Sequence, residues 1–136
     1  MHIWFILFRG VRNFRILKIK MEFEDSEYDN RELSHYGSSL TNLQDLDMSP
    51  NLEKIRVLHC ENLTSMNELW NLTQLVEINL SSNSIARIEG LHHMANLTLL
   101  NLSCNKIRVI NGLQNLYSLE KLNLSFNKIS SLGNLR

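Results

Sequence analysis

Asn83, Asn105 and Asn127 stand 22 residues apart, and the apolar residues around each keep a single register. The unit reads Leu75-x-x-Ile78-x-Leu80-x-x-Asn83-x-Ile85-x-x-Ile88-x-x-Leu91. It returns as Leu97, Leu100, Leu102, Asn105, Ile107, Ile110 and Leu113, and again as Leu119, Leu122, Leu124, Asn127, Ile129, Leu132 and Leu135. A degenerate copy precedes them as Leu52, Ile55, Val57 and Cys60, then Leu63, Met66 and Leu69, with a 23-residue step to the next unit. A fixed period of this length marks a stacked array in which no unit can bury its apolar face alone. Leu occurs 25 times and Asn 17 times, the excess expected when two residue types hold fixed places in every unit.

The spacing within a unit dictates its shape. Ile78-x-Leu80 alternates with period two, so a short strand turns those side chains inward and sends Glu77, Asn79 and Ser81 outward. After the Asn the apolar spacing changes to threes, as in a tight 3₁₀-like return along the opposite face. Parallel strands about 4.8 Å apart, joined by bulkier returns, force the stack to curve with the strands on its concave side. Stacked units then align Lys54, Glu77, Leu99 and Lys121 in one outward row. Arg56, Asn79, Asn101 and Asn123 form the next, followed by Leu58, Ser81, Ser103 and Ser125. Cys60, Asn83, Asn105 and Asn127 sit where the strand turns away, and there a side-chain amide can bond backbone groups that burial would otherwise leave unpartnered.

The pattern L-x-x-L-x-L-x-x-N/C-x-L resembles the leucine-rich repeat family over residues 52–136, with Leu40, Leu43 and Leu46 as remnants of an earlier turn. The resemblance implies an α/β solenoid: a right-handed superhelix with short parallel concave strands and 3₁₀ or irregular convex returns. It divides the chain into a repeat domain over 40–136, of about four repeats after a degenerate start, and an N-terminal extension over 1–39, partly disordered or capping. The 22-residue length and the returns Ile85-Ala-Arg-Ile88-Glu-Gly90-Leu91 and Ile107-Arg-Val-Ile110-Asn-Gly112-Leu113 resemble the intracellular subclass typified by a nuclear regulatory subunit of protein phosphatase 1. Extracellular repeats usually run to 24 residues with Pro in the return, whereas Pro50, the only proline, lies outside the regular units. Within the subclass, Leu58-His59-Cys60-Glu61-Asn62-Leu63 and Asn101-Leu102-Ser103-Cys104-Asn105 are similar to the N-terminal repeats of leucine-rich repeat and coiled-coil centrosomal proteins. Such relatives continue into a long coiled coil, for which this chain shows no heptad pattern.

The resemblance implies a non-catalytic scaffold that binds a protein partner on its concave face, in the cytoplasm at the centrosome or cilium, with the nucleus as another location. Lys54, Arg56, Glu77, Asn79, Leu99, Asn101, Lys121 and Asn123 are the expected contacts. The plainer reading of the Asn and Ser rows is that they solvate the sheet and bond along it. Two alternatives follow from the same family: a regulatory subunit of a protein phosphatase, and an RNA-associated scaffold. The formal net charge of zero argues against the latter and against nucleic-acid partners generally. No Ser/His/Asp order, phosphate-cradling Gly loop or HExxH helix is present, so no enzyme, cofactor or small-molecule substrate is expected. Two cysteines make no disulfide framework and no zinc-ligand spacing. His92-His93 reads as a surface pair rather than a metal site. Cys104 reads as a small half-buried filler, and Trp70 as closing a gap in the convex layer.

Residues 1–20 carry five basic side chains and no acid, whereas 21–34 carry six acids and one base. Leu17–Phe23 alternates like a strand extending the sheet. Trp4, Leu7, Phe8, Val11 and Phe14 alternatively share a helical face suited to a membrane surface or to targeting. A third reading starts the native chain at Met21. The run from Glu22 to Glu32 reads as a solvated lead-in. Met1–Phe8 is too short to cross a bilayer and has no cleavage site after it, so export is not expected. The Asn-Leu-Ser/Thr triplets at Asn62, Asn71, Asn79, Asn96, Asn101 and Asn123 are then by-products of the repeat. The chain stops inside its last unit, as expected of a piece of a longer protein whose terminal coil frays.

Overall fold

The computed structural model describes residues 31–37 and 39–133. Seven strands follow one another: β1 (Glu32–Tyr36), β2 (Lys54–Leu58), β3 (Glu77–Asn79), β4 (Leu99–Asn101), β5 (Val109–Ile110), β6 (Lys121–Asn123) and β7 (Ser131–Leu132). Two 3₁₀ helices, Leu43–Asp45 and Asn67–Asn71, lie in the first two returns. Strands β1-β2-β3-β4-β6 form one parallel sheet in chain order, and β5 pairs with β7 in a second, two-stranded sheet. The register sets Ile55 against Ile78, Ile78 against Leu100 and Leu100 against Leu122, which is the sequence period read out in space. Each coil is therefore one winding of a five-coil solenoid, and the return supplies the crossover that parallel pairing requires.

The core lies between the sheet and the returns. Ile55, Val57, Ile78, Leu80, Leu100 and Leu102 point in from the strands, while Leu63, Met66, Leu69, Ile85, Leu91 and Met94 reach them from the returns, all essentially without solvent contact. The inward residues of the last coil are different. Leu122, Ile129 and Leu132 remain exposed, because a coil covers them on one side only.

The structure differs from the sequence reading at the N-terminal edge of the sheet. The sheet begins at Glu32, ahead of the boundary at 40, with Leu33 and His35 half-buried in the places of Ile55 and Val57. Backbone pairing recruits β1, although a polar residue occupies one of its two inward places. The returns are 3₁₀ or irregular as expected, with 3₁₀ helix in the first two and turns with the short strands β5 and β7 later, and no α-helix occurs among the described residues. The strand over Leu17–Phe23 and the helical face from Trp4 to Phe14 lie outside the described residues.

The corner after each strand is the most constrained point of the coil. Asn105 Oδ1 accepts from Ile85 N at 2.9 Å, and its Nδ2 donates to Leu80 O, Leu102 O and Ser103 O at 2.8, 3.1 and 3.2 Å. Asn127 repeats the arrangement one coil later, with Ile107 N, Leu102 O and Leu124 O as partners. Asn83 bonds Cys60 N, Val57 O and Leu80 O. At Cys60 the buried thiol donates to Leu58 O at 3.6 Å, a weaker bond from a smaller group.

Immediately before each of these positions the backbone is left-handed. His59, Ser82, Cys104 and Phe126 have φ between 56° and 59°, and Gly37 (φ 53°) holds the same place in the first coil. That conformation costs a residue with a Cβ about 1–2 kcal/mol, and the bonds of the adjacent ladder residue offset it.

The returns stack closely. At Gly112 (φ 73°) an added Cβ would lie 2.7 Å from Ile88 O, so only glycine admits both the conformation and the approach of the neighbouring coil. Two stability measurements check this account. Asn105→Leu should lower the unfolding free energy by about 1–3 kcal/mol, the cost of orphaned buried groups, and an unchanged urea midpoint would refute the ladder's role. Gly112→Ala should cost more than the ~1 kcal/mol expected for a strained backbone alone, whereas Gly37→Ala, with nothing within 4 Å of its Cβ, should cost less than Gly112→Ala in the same denaturation series.

Candidate functional site

The outward residues of the five-stranded sheet form three rows across adjacent coils. Glu32, Lys54, Glu77, Leu99 and Lys121 make the first, and Ser34, Arg56, Asn79, Asn101 and Asn123 the second. Tyr36 and Leu58 begin the third, and Ser81, Ser103 and Ser125 continue it just past the later strands. All eight concave residues expected from the sequence therefore share one face. Glu32, Ser34 and Tyr36 were missed. Counting the period one unit upstream of Lys54, Arg56 and Leu58 would have found them.

The rows differ in how far their groups are already engaged. Asn79, Asn101 and Asn123 each accept, through Oδ1, the backbone N–H two residues on, at Ser81, Ser103 and Ser125, over 3.2, 3.1 and 3.0 Å. Their carbonyl oxygens turn the chain out of the strand, and the amide NH₂ groups form no hydrogen bond among the described residues.

At the N-terminal end of the face the charges pair with one another. Lys54 Nζ lies 2.7 Å from Glu32 Oε1, and Arg56 lies 3.8 Å from Glu32 Oε2 and 3.5 Å from Glu77 Oε2. The hydrogen bond from Lys54, reinforced by its charge, holds the Glu32 carboxyl below its ordinary range. The same hydrogen bond raises Lys54. All four side chains are partly exposed, so these pairs are weak and exchangeable. At the other end, Leu99 is half-buried, and exposed Lys121 has no ion pair among the described residues.

Elsewhere the surface corrects one expectation. Cys104 is exposed rather than a half-buried filler, because its left-handed backbone swings the side chain away from the core. Trp70 is 53% exposed near the end of the second 3₁₀ helix, so half of the indole stands in solvent. His92 and His93 are exposed, with ring centroids 4.1 Å apart, and among the described residues no three His, Cys, Asp or Glu side chains are grouped to hold a metal ion. An open depression of about 160 Å³, lined by Glu32, Leu33, Asp47, Ser49 and Leu52, is smaller than the several hundred Å³ of ordinary small-molecule sites. No helix among the described residues is long and apolar enough to cross a membrane.

A ladder of buried amides joining parallel strands into a curved stack defines a leucine-rich repeat solenoid. Residues 73–129 match the family model described as leucine rich repeat. The fold is similar to the crystal structure of an internalin from Listeria monocytogenes, with a TM-score of 0.54 and 25% identity over 61% of this chain. The match spans 28% of the internalin chain. No curated protein matches the sequence. Residues 73–129 are thus similar to leucine-rich repeats, and the described coils have the fold of such a solenoid.

The Glu32–Lys54 pair carries a pH signature. Glu32 is depressed, so its contribution to stability is present above pH 4.5 and is lost as pH falls through its lowered folded value. Lys54 is raised, so its contribution is complete below pH 10.5 and is lost as pH rises through its folded value. Glu32→Gln should flatten the acid limb of stability below pH 4.5, with the difference from wild type shrinking at high salt. Urea midpoints measured across that limb check it.

Proposed function

We propose that this chain is a non-catalytic protein-interaction scaffold whose partner docks on the concave sheet. The observation that carries the reading is the shared face itself, five strands wide. Leu99 and Lys121 are offered there without engagement, beside ion pairs weak enough to exchange. The repeat class supports it, since such stacks present extended concave surfaces to other proteins. Five strands at about 4.8 Å spacing span about 19 Å, less than a standard stable interface needs, so this surface by itself binds weakly. The likeness of the repeats to those of centrosomal proteins supports the cytoplasm, at the centrosome or cilium, as the place where the partner is met.

Affinity capture compares the wild-type chain with Leu99→Arg/Lys121→Glu, which alters the unengaged end and leaves the Glu32–Lys54–Arg56–Glu77 pairs intact. The expected outcome is a partner retained by wild type and by a Trp70→Ser control but lost from the double variant. An identical partner set for wild type and double variant would remove the concave-face reading.

A further inference from the structure

Charge is distributed unevenly along the solenoid even though the whole chain is neutral. Residues 31–96 carry eight acidic and four basic side chains, whereas residues 97–133 carry Lys106, Arg108, Lys121 and Lys128 against Glu120 alone. Three of those four cations lie off the concave sheet, on the segments that leave the ladder corner. Lys106 and Arg108 bracket buried Ile107 and are both exposed, so they project from the same side of an extended segment. Lys128 N donates to Ile107 O at 2.9 Å, which sets Lys128 beside them on the next coil. Lys106 N donates to Ile85 O at 2.9 Å, and exposed Arg87 follows two residues past Ile85 on that preceding coil, in the place that Val109 holds on the coil of Lys106. None of the four forms an ion pair among the described residues. Glu89, two residues beyond Arg87, is half-buried and accepts a hydrogen bond from Ser65 Oγ at 3.0 Å.

We propose that Arg87, Lys106, Arg108 and Lys128 form a second docking surface, on the flank where each coil leaves the sheet, for a short acidic protein segment with carboxylates at alternate positions. The spacing supplies the match. Lys106 and Arg108 are two residues apart on extended backbone, about 7 Å, which is the repeat of alternate side chains along an extended peptide. Lys128 on the next coil adds a cation beside Lys106 about 5 Å away, and arginine can take a carboxylate through two hydrogen bonds. Size selects the occupant. The strip covers three coils, about 10 Å across the stack. A nucleic acid or an anionic bilayer extends well beyond that and meets the acidic coils, whose repulsion reaches about a Debye length, roughly 8–10 Å. A short acidic segment stays within the strip. This surface is separate from the concave face and does not depend on what binds there.

The test titrates the full chain with a labelled ten-residue peptide alternating glutamate and alanine. Wild type should bind it, with affinity falling as salt rises. Lys106→Glu/Arg108→Glu/Lys128→Glu should weaken binding about tenfold or more, and the corresponding triple Gln variant should lose an intermediate amount. Thermal unfolding confirms that both variants fold, and Gln114→Glu, at an exposed position of the return outside both surfaces, should bind as wild type does. Equal binding by wild type and the charge-reversed variant would overturn the proposal, as would failure of wild type to bind. Tighter binding of single-stranded RNA, or of vesicles containing anionic lipid, through these same residues would overturn the choice of an acidic protein segment.

Discussion

Everything in this molecule depends on a side-chain amide buried at a corner. Where the chain leaves the sheet it turns through a left-handed residue, and the backbone groups around that turn face the interior rather than water. Asn83, Asn105 and Asn127 meet those groups from both ends of the amide at once. Two features of the ladder matter energetically. Each Asn satisfies donors and acceptors that would be costly to bury alone, and each bonds the coil before its own. Asn105 takes the N–H of Ile85 and gives to Leu80 O, so the corner of one coil does not close without its neighbour. Nearest-neighbour coupling of this kind makes stacked repeats cooperative.

From that corner the geometry of the working surface follows. Once the turns align, the strands align, and the outward residues fall into rows whose chemistry depends on which residue each coil contributes. The first coils contribute Glu32, Lys54, Arg56 and Glu77, whose charges answer one another across the sheet. The later coils contribute Leu99 and Lys121, with no opposing acid on the face. The same alignment acts on the outgoing flank, where Arg87, Lys106, Arg108 and Lys128 collect on successive coils without carboxylates among them. A neutral composition thus coexists with a polarised surface, because the period decides which residues become neighbours.

The left-handed corner also explains two of the surface residues. Four non-glycine residues accept a strained conformation there, and their side chains are turned toward solvent: Cys104 is exposed and Phe126 is 84% exposed. The sequence spacing reads Cys104 as half-buried, because spacing carries no information on backbone handedness. Trp70 stands half in solvent for a related reason, since a tight 3₁₀ helix displays it on the outside of the return. Glycine marks the opposite case. Gly112 lies against Ile88 O on the preceding coil, where any side chain would part the stack.

The sequence by itself determined the period, the inward residues from Leu52 onward, the ladder positions and the concave rows, because each is a consequence of fixed spacing in a chain that alternates sides with period two. Strand β1 is legible only by counting one period upstream of β2, since His35 occupies a place where the later coils use Val57 and Leu80 and the apolar pattern fades there. The engagement of the site residues was also invisible. That Lys54 and Arg56 answer Glu32 and Glu77, while Lys121 stands apart, depends on which coils lie side by side. The basic flank arose the same way, from Lys128 beside Arg108, two residues far apart in the chain until backbone hydrogen bonds between coils bring them together. Only the tertiary structure decides such matters, because charge interactions depend on distance through space, and a repeat fixes that distance only after its windings have joined.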